Sequence, residues 1–410
     1  MKIAFVNNMN NNFYSMVRYL RDRGIDAHLF IFDELSENFF PQADTFDDVS
    51  KMDYVSIISQ ISFKDFFIPF SPKVSTAIKK LKKSLAGFDL VFACGVLAFF
   101  ERANIRIDVL IPYGGDAYQL TDLFNYSRKK YFPYSALMRY IMKYQRRAIE
   151  RVRAIVSFAS HDLHVHDALI NLGRQWIDWN MAMIYPITCP ESIDKWSFLK
   201  NHDFVLFSHM RHSWKTGTDY NGNDRAIRGY AKFIKEKSRF QNPIFVLFEY
   251  GCDIEASKAL VAELNIEKYI KWVPTTHRKH IYAGLKYANI VTGIFNDEVI
   301  SWGGVTYEAF SCGIPVIGGA KIKRKEATHD LPLIHALEVN EIADILYDFQ
   351  ENPDKYRQIG IKSKQWFDQN VGQFLIDKYV ELITLLIQYK NAKLEDEPLR
   401  HLAYQNLINN

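Results

Sequence analysis

A glycine pair ahead of a short helical segment is the feature of this sequence best suited to holding a phosphate. Gly303 and Gly304 precede a helix that is predicted to begin near Thr306. The first N–H groups of a helix have no partner within it and lie at its positive end, so they attract anions. Glu308 would lie one turn inside this helix, where its carboxylate could accept hydrogen bonds from a ribose diol. A glycine turn with a helix-capping acid is an equally good interpretation.

Two cations follow a predicted strand earlier in the same half of the chain. Arg211 and Lys215 come directly after an apolar run that ends at Ser208. The arginine offers a rigid fork to two phosphate oxygens, and the lysine offers a compact charge that could assist the departure of a nucleotide. Ordinary solvated surface charge is the competing interpretation.

Polar residues also follow two predicted strands in the first half. Gly114 and Gly115 let the backbone bend close to a ligand, and Asp116 after them could bind a sugar hydroxyl or act as a base. An aspartate that binds its own turn is the alternative. The amides of Asn8 and Asn12 suit sugar hydroxyls, but asparagines also cap helices and form turns.

Composition and motifs argue against several other classes of protein. A net charge of +4 is too small to indicate a nucleic-acid partner. The four cysteines form no CxxC pair, and no HExxH pattern accompanies His161, His164 and His166, so no metal site is predicted. A GxSxG elbow and a Walker A sequence are absent from the sequence. We expect neither a metal nor another resident cofactor, so that any nucleotide enters as a substrate.

The elements that would position these residues are βα units. Short runs rich in Val, Ile and Phe alternate with segments of helical period, which predicts parallel sheets in an α/β fold. Strands are predicted at 3–6, 27–32, 55–58, 90–93, 109–112, 154–158 and 183–185, and then at 204–208, 244–248, 270–273, 290–292 and 315–317. Helices are predicted at 13–23, 75–86, 135–152, 224–237, 254–264 and 306–311, and the chain ends in helices up to 389.

The length of 410 residues favours two domains, and a proline-containing stretch of little periodicity at 185–194 marks their boundary. We therefore predict a first Rossmann-like domain over 1–187. A second domain over 188–372 would bind a nucleotide. A helix over 373–390 and a polar tail over 391–410 follow.

One basic segment indicates a partner surface. From Arg128 to Arg153 there are nine Lys or Arg residues and one acid, Glu150, and aromatics are interspersed at helical spacing through 127–153. This composition is typical of a helix that lies against anionic lipid, although the aromatics could equally be core and the charges merely solvated. A second basic run, from Lys79 to Lys83, lies in the same half. No apolar run is long enough for a signal peptide or a membrane span, so we expect a cytoplasmic protein that can lie at the inner face of a membrane.

Taken in order, these segments resemble the GT-B glycosyltransferases of the family-4-type group, which are retaining enzymes that use nucleoside-diphosphate sugars. YEAFSCGIPVI, which ends at Ile317, resembles the group's EA-x-x-x-G-x-PV signature, and SWGGVTYEA resembles the glycine loop before it. The segments 250–274 and 281–293 resemble the stretch that leads to the nucleobase pocket. The loop around Arg211 matches the group's cationic loop, and PYGGD resembles a turn of its acceptor half.

The resemblance implies two Rossmann-like domains facing each other across a cleft, of which the first, 1–187, would bind the acceptor. The helix at 374–389 would cross back to this first domain. It implies a UDP- or GDP-sugar donor, a glycan or lipid-linked acceptor in surface polysaccharide biosynthesis, and a metal-independent front-face displacement. Arg211 and Lys215 would bind the diphosphate and Glu308 the ribose, while Gly115 and Asp116 would serve the acceptor. The remaining donor contacts would come from Trp302, Gly303, Gly304, Val305, Thr306, Val273 and Tyr250.

The sequence departs from the group's pattern at two positions. Ile300 stands where the first glutamate of a conserved pair is expected, with Asp297 and Glu298 nearby, and Asn221 stands where a lysine is usual. Two alternatives to a transferase therefore stay open. One is a catalytically weakened binding or scaffold subunit of the same fold. The other is a nucleotide-sugar 2-epimerase, whose catalytic carboxylates have no counterpart that we can place in this sequence.

Overall fold

The computed structural model describes residues 1–32, 37–58, 72–121, 134–158, 163–216, 220–296, 303–320 and 331–403. The chain forms two compact units. Unit 1 comprises Met1–Ala43, Asp47–Tyr185 and Asn370–Asn410, and unit 2 comprises Asp44–Phe46 and Pro186–Gln369.

Unit 1 is built on a six-stranded parallel sheet. Its strands are β1 (Lys2–Val6), β2 (Asp26–Phe32), β3 (Val55–Ile58), β4 (Leu90–Ala93), β5 (Val109–Leu110) and β6 (Ala154–Ile155), in the order β3-β2-β1-β4-β5-β6. Its helices are α1 (Asn12–Asp22), α2 (Pro72–Leu85), α3 (Ala98–Arg102), α4 (Tyr134–Arg151) and α5 (Leu163–Asn171), joined by α12 (Leu375–Gln388) and α13 (Glu397–Arg400).

Helices cover both faces of this sheet, which is why its strands are continuous apolar runs rather than alternating ones. On one face, Phe13 of α1 and Leu382 of α12 are buried in a single cluster with β1, β2 and β4. On the other face, Leu81 of α2, Ile141 of α4 and Leu169 of α5 share a second cluster. The helices α2 to α5 therefore lie together on the side of the sheet opposite α1 and α12.

Unit 2 repeats this architecture. Its strands are β7 (Phe204–Ser208), β8 (Pro243–Glu249), β9 (Ile270–Pro274), β10 (Ile290–Asn296), β11 (Val316–Ala320) and β12 (Ile334–His335), in the order β12-β11-β10-β7-β8-β9, all parallel. Its helices are α6 (Asn223–Glu236), α7 (Ile254–Glu263), α8 (Arg278–Leu285), α9 (Gly303–Ser311), α10 (Val339–Glu351) and α11 (Pro353–Asn370).

The predicted α/β fold with two Rossmann-like sheets is confirmed, and the structure differs from the prediction in several local features. The segment 183–185 is not a strand, because Ile184 has a positive φ of 64° and its carbonyl instead accepts a hydrogen bond from the Tyr19 hydroxyl. The two-residue strand β12 was not predicted, since it is too short to carry a period. Helix α9 begins at Gly303, so the glycine pair lies in its first turn rather than ahead of it.

The C-terminal helix α12 returns to unit 1, as predicted, and its end is held by one buried arginine. The guanidinium of Arg153 donates hydrogen bonds to the carbonyls of Leu386, Tyr389 and Ala392 at 2.8, 2.6 and 2.9 Å. The last carbonyls of a helix have no partner within it, so a cation placed there meets both a hydrogen-bonding need and the negative helix end. In the described part of the segment predicted as a polar tail, residues 391–403, Leu399 is buried in the same core.

We expect Arg153→Ala to lower the free energy of unfolding of unit 1 by about 3 kcal/mol, because three carbonyls lose their donor and the buried Asp108 loses one of its two cationic partners. Urea unfolding measures this loss. Arg106→Ala is the matched control, since Arg106 pairs with the same Asp108 but has a side chain 59% exposed, and it should cost about 1 kcal/mol or less. Equal losses in the two variants would contradict the anchoring role of Arg153.

Candidate functional site

The polar residues singled out in the second half of the sequence lie after the carboxyl ends of neighbouring strands in unit 2. Arg211 follows β7, Tyr250 follows β8, and α9 is the next described element after β10. The strands β10, β7 and β8 are adjacent and parallel. Ligands of open parallel sheets bind beyond the carboxyl ends of the strands. The predicted donor residues therefore lie at this strand-end edge of the sheet, where a nucleotide would bind.

Glu308 is the centre of this edge. One carboxylate oxygen, Oε2, lies 2.6 Å from Nε2 of His209, and the other, Oε1, lies 3.8 Å from Nη1 of Arg278. The Glu308 side chain is 11% exposed and that of His209 only 2%. The carboxylate is therefore fixed in direction by a histidine, with a cation beside it, and keeps a small opening to solvent.

His209 was not predicted from the sequence. Its ring is packed near Phe207 and Phe248, with ring centroids 5.9 and 6.4 Å away. Hydrogen bonding to a carboxylate requires the proton on Nε2, and the buried Nδ1 has no hydrogen-bond partner among the described residues. The only sequence signal for His209 is that a polar residue follows a buried strand, two positions before Arg211.

Arg278, the first residue of α8, was also missed. Its guanidinium Nη2 donates to Oδ2 of Asp44 at 2.8 Å, and Asp44 belongs to the short N-terminal segment that forms part of unit 2. Burial lowers the pKa of Arg278, but the charge of Asp44 outweighs it and the pKa is raised. Arg278 is thus a permanent cation held between Asp44 and Glu308, and no local pattern could reveal a partner 234 residues away.

The first turn of α9 is partly exposed. Gly303 has a φ of 68°, which favours glycine, and a Cβ there would meet Cδ1 of Ile294 at 3.2 Å. Gly304 is exposed and Val305 half-buried, whereas Thr306 is fully buried. Other residues of interest lie outside the described residues, namely Trp302, Ile300, Asp297 and Glu298.

The cationic loop, residues 209–216, presents Arg211 and Lys215 on its exposed side. Asn221, which stands where a lysine was expected, donates from Nδ2 to the carbonyl of Arg211 at 2.9 Å. Gly222 follows with a φ of 71°, and a Cβ there would lie 2.2 Å from the carbonyl oxygen of Phe295. The departure at Asn221 therefore has a structural reason, because its amide holds the backbone of the residue predicted to bind the diphosphate.

Two of the residues predicted to contact the donor lie at adjacent strand ends. Tyr250, directly after β8, is 49% exposed. Val273 of β9 is half-buried and pairs in register with Phe248 of β8. Their contact with the donor nucleotide stays a prediction.

His212 lies inside the cationic loop with a fully buried ring. Its Nδ1 lies 2.8 Å from Oγ of Ser257, and its ring centroid lies 5.5 Å from that of Trp272. Burial lowers the pKa of His212 to about 4. The ring is therefore neutral at physiological pH and adds no charge to the loop.

The predicted acceptor residues of unit 1 have structural roles. Nδ2 of Asn8 donates to Oδ1 of Asn11 at 2.7 Å and to the carbonyl of Phe39 at 2.6 Å, and its Oδ1 accepts from the N–H of Tyr14 at 3.1 Å. Asn8 is fully buried. The arrangement favours the capping interpretation of this asparagine, and its contact with an acceptor stays a prediction.

Asp116 binds the turns around it. One oxygen accepts the N–H of Gly95 at 2.9 Å and the other that of Tyr113 at 2.8 Å, and burial raises the pKa of Asp116 to about 6. Gly115 is half-buried, and Asn12 is buried at the start of α1. These contacts favour the interpretation of Asp116 as a turn aspartate, while acceptor binding by these residues stays a prediction.

No family model matches this chain, and no curated protein sequence is similar to it. Solved structures are similar along nearly its whole length. HepE of Anabaena is 15% identical, with a TM-score of 0.58 over 94% of this chain and 99% of that one. Sucrose-phosphate synthase of Thermosynechococcus elongatus is 12% identical, with a TM-score of 0.56 over 95% and 100%. A Listeria monocytogenes protein described as a UDP-N-acetylglucosamine 2-epimerase is 11% identical, with a TM-score of 0.55 over 97% and 98%.

We expect the buried ring of His212 to make folding stability depend on pH. Because its pKa is lowered from 6.5 to about 4, only the unfolded chain takes up a proton between these values. The folded state should therefore lose up to about 3 kcal/mol as pH falls from 6.5 towards 4. Urea unfolding of the wild type and His212→Asn at pH 8 gives the packing cost alone. At pH 4.5 the free energies of unfolding of the two proteins should differ less. An unchanged difference would refute the lowered pKa of His212.

The extent and topology of the similarities to solved structures establish the fold. Unit 1 and unit 2 each contain a Rossmann-like parallel sheet, and the C-terminal helix α12 belongs to unit 1. At these identities the comparisons bear on the fold and not on the activity. The chain has the GT-B fold.

Proposed function

We propose that this chain is a retaining glycosyltransferase that moves a sugar from a nucleoside-diphosphate sugar to a glycan or lipid-linked acceptor in surface polysaccharide biosynthesis. The observation that carries the proposal is the oriented carboxylate of Glu308 at the strand-end edge of unit 2. HepE, a protein of similar structure, was solved with UDP and glucose and with UDP-glucose. This similarity favours UDP over GDP as the nucleotide of the donor.

The donor would be held by three groups of residues in unit 2. Glu308 would accept hydrogen bonds from the ribose hydroxyls, and the first turn of α9 would offer backbone N–H groups to the diphosphate. Arg211 and Lys215 would neutralise the charge that develops on the diphosphate as it leaves. Tyr250 and Val273 would flank the base. Trp302 completes the donor set that the resemblance implies.

The reaction would be a front-face displacement. The acceptor hydroxyl attacks the anomeric carbon on the side from which the nucleoside diphosphate departs, so the bond to the diphosphate breaks as the new glycosidic bond forms. The acceptor proton passes to the departing diphosphate oxygen, and the configuration is retained. The protein contributes orientation and cations rather than a nucleophile. We propose that Asp116 supports this step by holding the turn at Gly95 and Tyr113.

A lipid-linked acceptor would require contact with a membrane, and unit 1 has a basic side. Arg139, Lys143 and Arg147 of α4 are exposed around the exposed ring of Tyr140. Helix α2, which carries the run from Lys79 to Lys83, packs into the same core cluster as α4. The basic residues of α2 and the described basic residues of α4 therefore lie on one side of the sheet, and we propose that this side meets anionic lipid. No described helix is long and apolar enough to cross a bilayer.

Two alternatives are kept for specific reasons. The similarity to the Listeria 2-epimerase is the reason for the epimerase alternative. The scaffold alternative rests on the isoleucine at position 300, where a carboxylate was expected. An epimerase would convert the nucleotide sugar without an acceptor, whereas a scaffold would bind it without releasing nucleotide. Nucleotide release that depends on added acceptor supports only the transferase.

Calorimetry with UDP, GDP and their sugars tests the donor site. We expect Glu308→Ala to weaken binding of the preferred nucleotide by about 1–3 kcal/mol, the value of a lost buried hydrogen-bonding partner. Asp368→Ala is the matched control. Its side chain is 18% exposed and pairs with Lys364 on α11, so affinity should not change. Absence of binding to every nucleoside diphosphate would reject the donor site.

Flotation with vesicles tests the membrane surface. We expect Lys143→Glu together with Arg147→Glu to abolish retention on vesicles that contain anionic lipid, since each basic residue contributes about 1 kcal/mol near such a surface. Reversal of the exposed Lys235 and Lys268 of unit 2 changes the net charge equally and should leave retention intact. Equal retention of both variants would show that α4 is not the contact.

A further inference from the structure

Asp253, directly before α7, is bound to the cationic loop. Its Oδ2 accepts backbone N–H groups from Trp214 at 2.7 Å, Lys215 at 2.7 Å and Thr216 at 3.1 Å. The hydroxyl of Thr216 donates to the other oxygen, Oδ1. Asp253 itself is 2% exposed. One buried carboxylate thus gathers three consecutive amides and a hydroxyl from a segment 37 to 39 residues away.

The same loop has other ties, and together they use every backbone N–H from His212 to Thr216. The N–H of His212 donates to the carbonyl of Tyr250 at 2.6 Å, and that of Ser213 donates to Oδ1 of Asn223 at 3.1 Å. The next three donate to Asp253. Because these five amides are already bonded within unit 2, this stretch would meet an anion through its side chains.

The carboxylate is anionic at physiological pH. Burial alone would raise its pKa, but the hydrogen bonds from the Thr216 hydroxyl and from the amides of Lys215 and Trp214 lower the pKa well below its usual range. Hydrogen bonds to an ionised acceptor are about twice as strong as neutral ones. A neutral amide side chain at this position could accept some of these bonds, but its own N–H groups would face donors.

We propose that Asp253 is a positioning residue for the donor diphosphate, because it fixes the loop so that Arg211 and Lys215 are in place before the ligand arrives. This inference rests on the proposed function and extends it to a residue that does not touch the substrate. Groups that are already ordered lose less conformational entropy on binding, so the effect should appear as affinity for the phosphates.

The test compares UDP with UMP, which differ by the β-phosphate, on the full-length protein. We expect Asp253→Asn to reduce the ratio of UDP to UMP affinity by about tenfold or more, the equivalent of one weakened charge-assisted contact. Affinity for UMP should change by no more than about twofold, on the same scale. Thr216→Val, which removes only the hydroxyl donor, should shift the ratio in the same direction by less and covers the case in which Asp253→Asn does not fold.

Asp203→Asn is the matched control. Asp203 precedes β7, at the opposite end of that strand, and accepts the N–H groups of Gln241 at 2.6 Å and Asn242 at 3.0 Å. Its replacement should lower thermal stability but leave the UDP to UMP ratio unchanged. If the wild type prefers UDP and both Asp253→Asn and Thr216→Val keep that preference, the positioning role is wrong and the donor site stands. If the wild type binds neither nucleotide, the proposed function and this inference fail together.

Discussion

Carboxylates that are buried away from water need hydrogen-bond donors, and this requirement determines which segments are fixed at the strand-end edge of unit 2. Glu308 is met by His209, Asp253 by three consecutive amides, and Asp44 by Arg278. An unpaired buried charge would cost several kcal/mol, so each pairing fixes the segment that supplies the donor. The loop after β7 and the first residue of α8 are held in this way. The edge is ordered by acids whose partners come from elsewhere in unit 2.

The elements of the fold could be predicted from the sequence because their signals are local. Helix α6 begins one residue before its predicted start and α7 begins at it, since each has an apolar face with a helical period. The predictions fail where the period is too short or the backbone conformation is unusual. The strand β12 has two residues, and Ile184 has a positive φ that periodicity does not reveal.

The residues of the candidate site also differ in whether a local pattern reveals them. Glu308 and Arg211 could be singled out because each occupies a recognisable place, one in a helix after glycines and the other after a strand. His209, which orients Glu308, could not be singled out, because the two residues are 99 positions apart in the sequence. Asn8 and Asp116 show the converse limit. Their local sequence permitted both a structural and a binding role, and the hydrogen bonds of the folded chain favour the structural one.

The return of α12 to unit 1 has a consequence for the order in which the chain acquires its structure. Leu382 and Leu399 complete a core cluster whose other members include Phe13 of α1. During synthesis these late residues emerge only after all of unit 2 has been made. Unit 2 can therefore fold while one helical layer of unit 1 still lacks α12, and the face of α1 that α12 covers is then exposed and prone to aggregation.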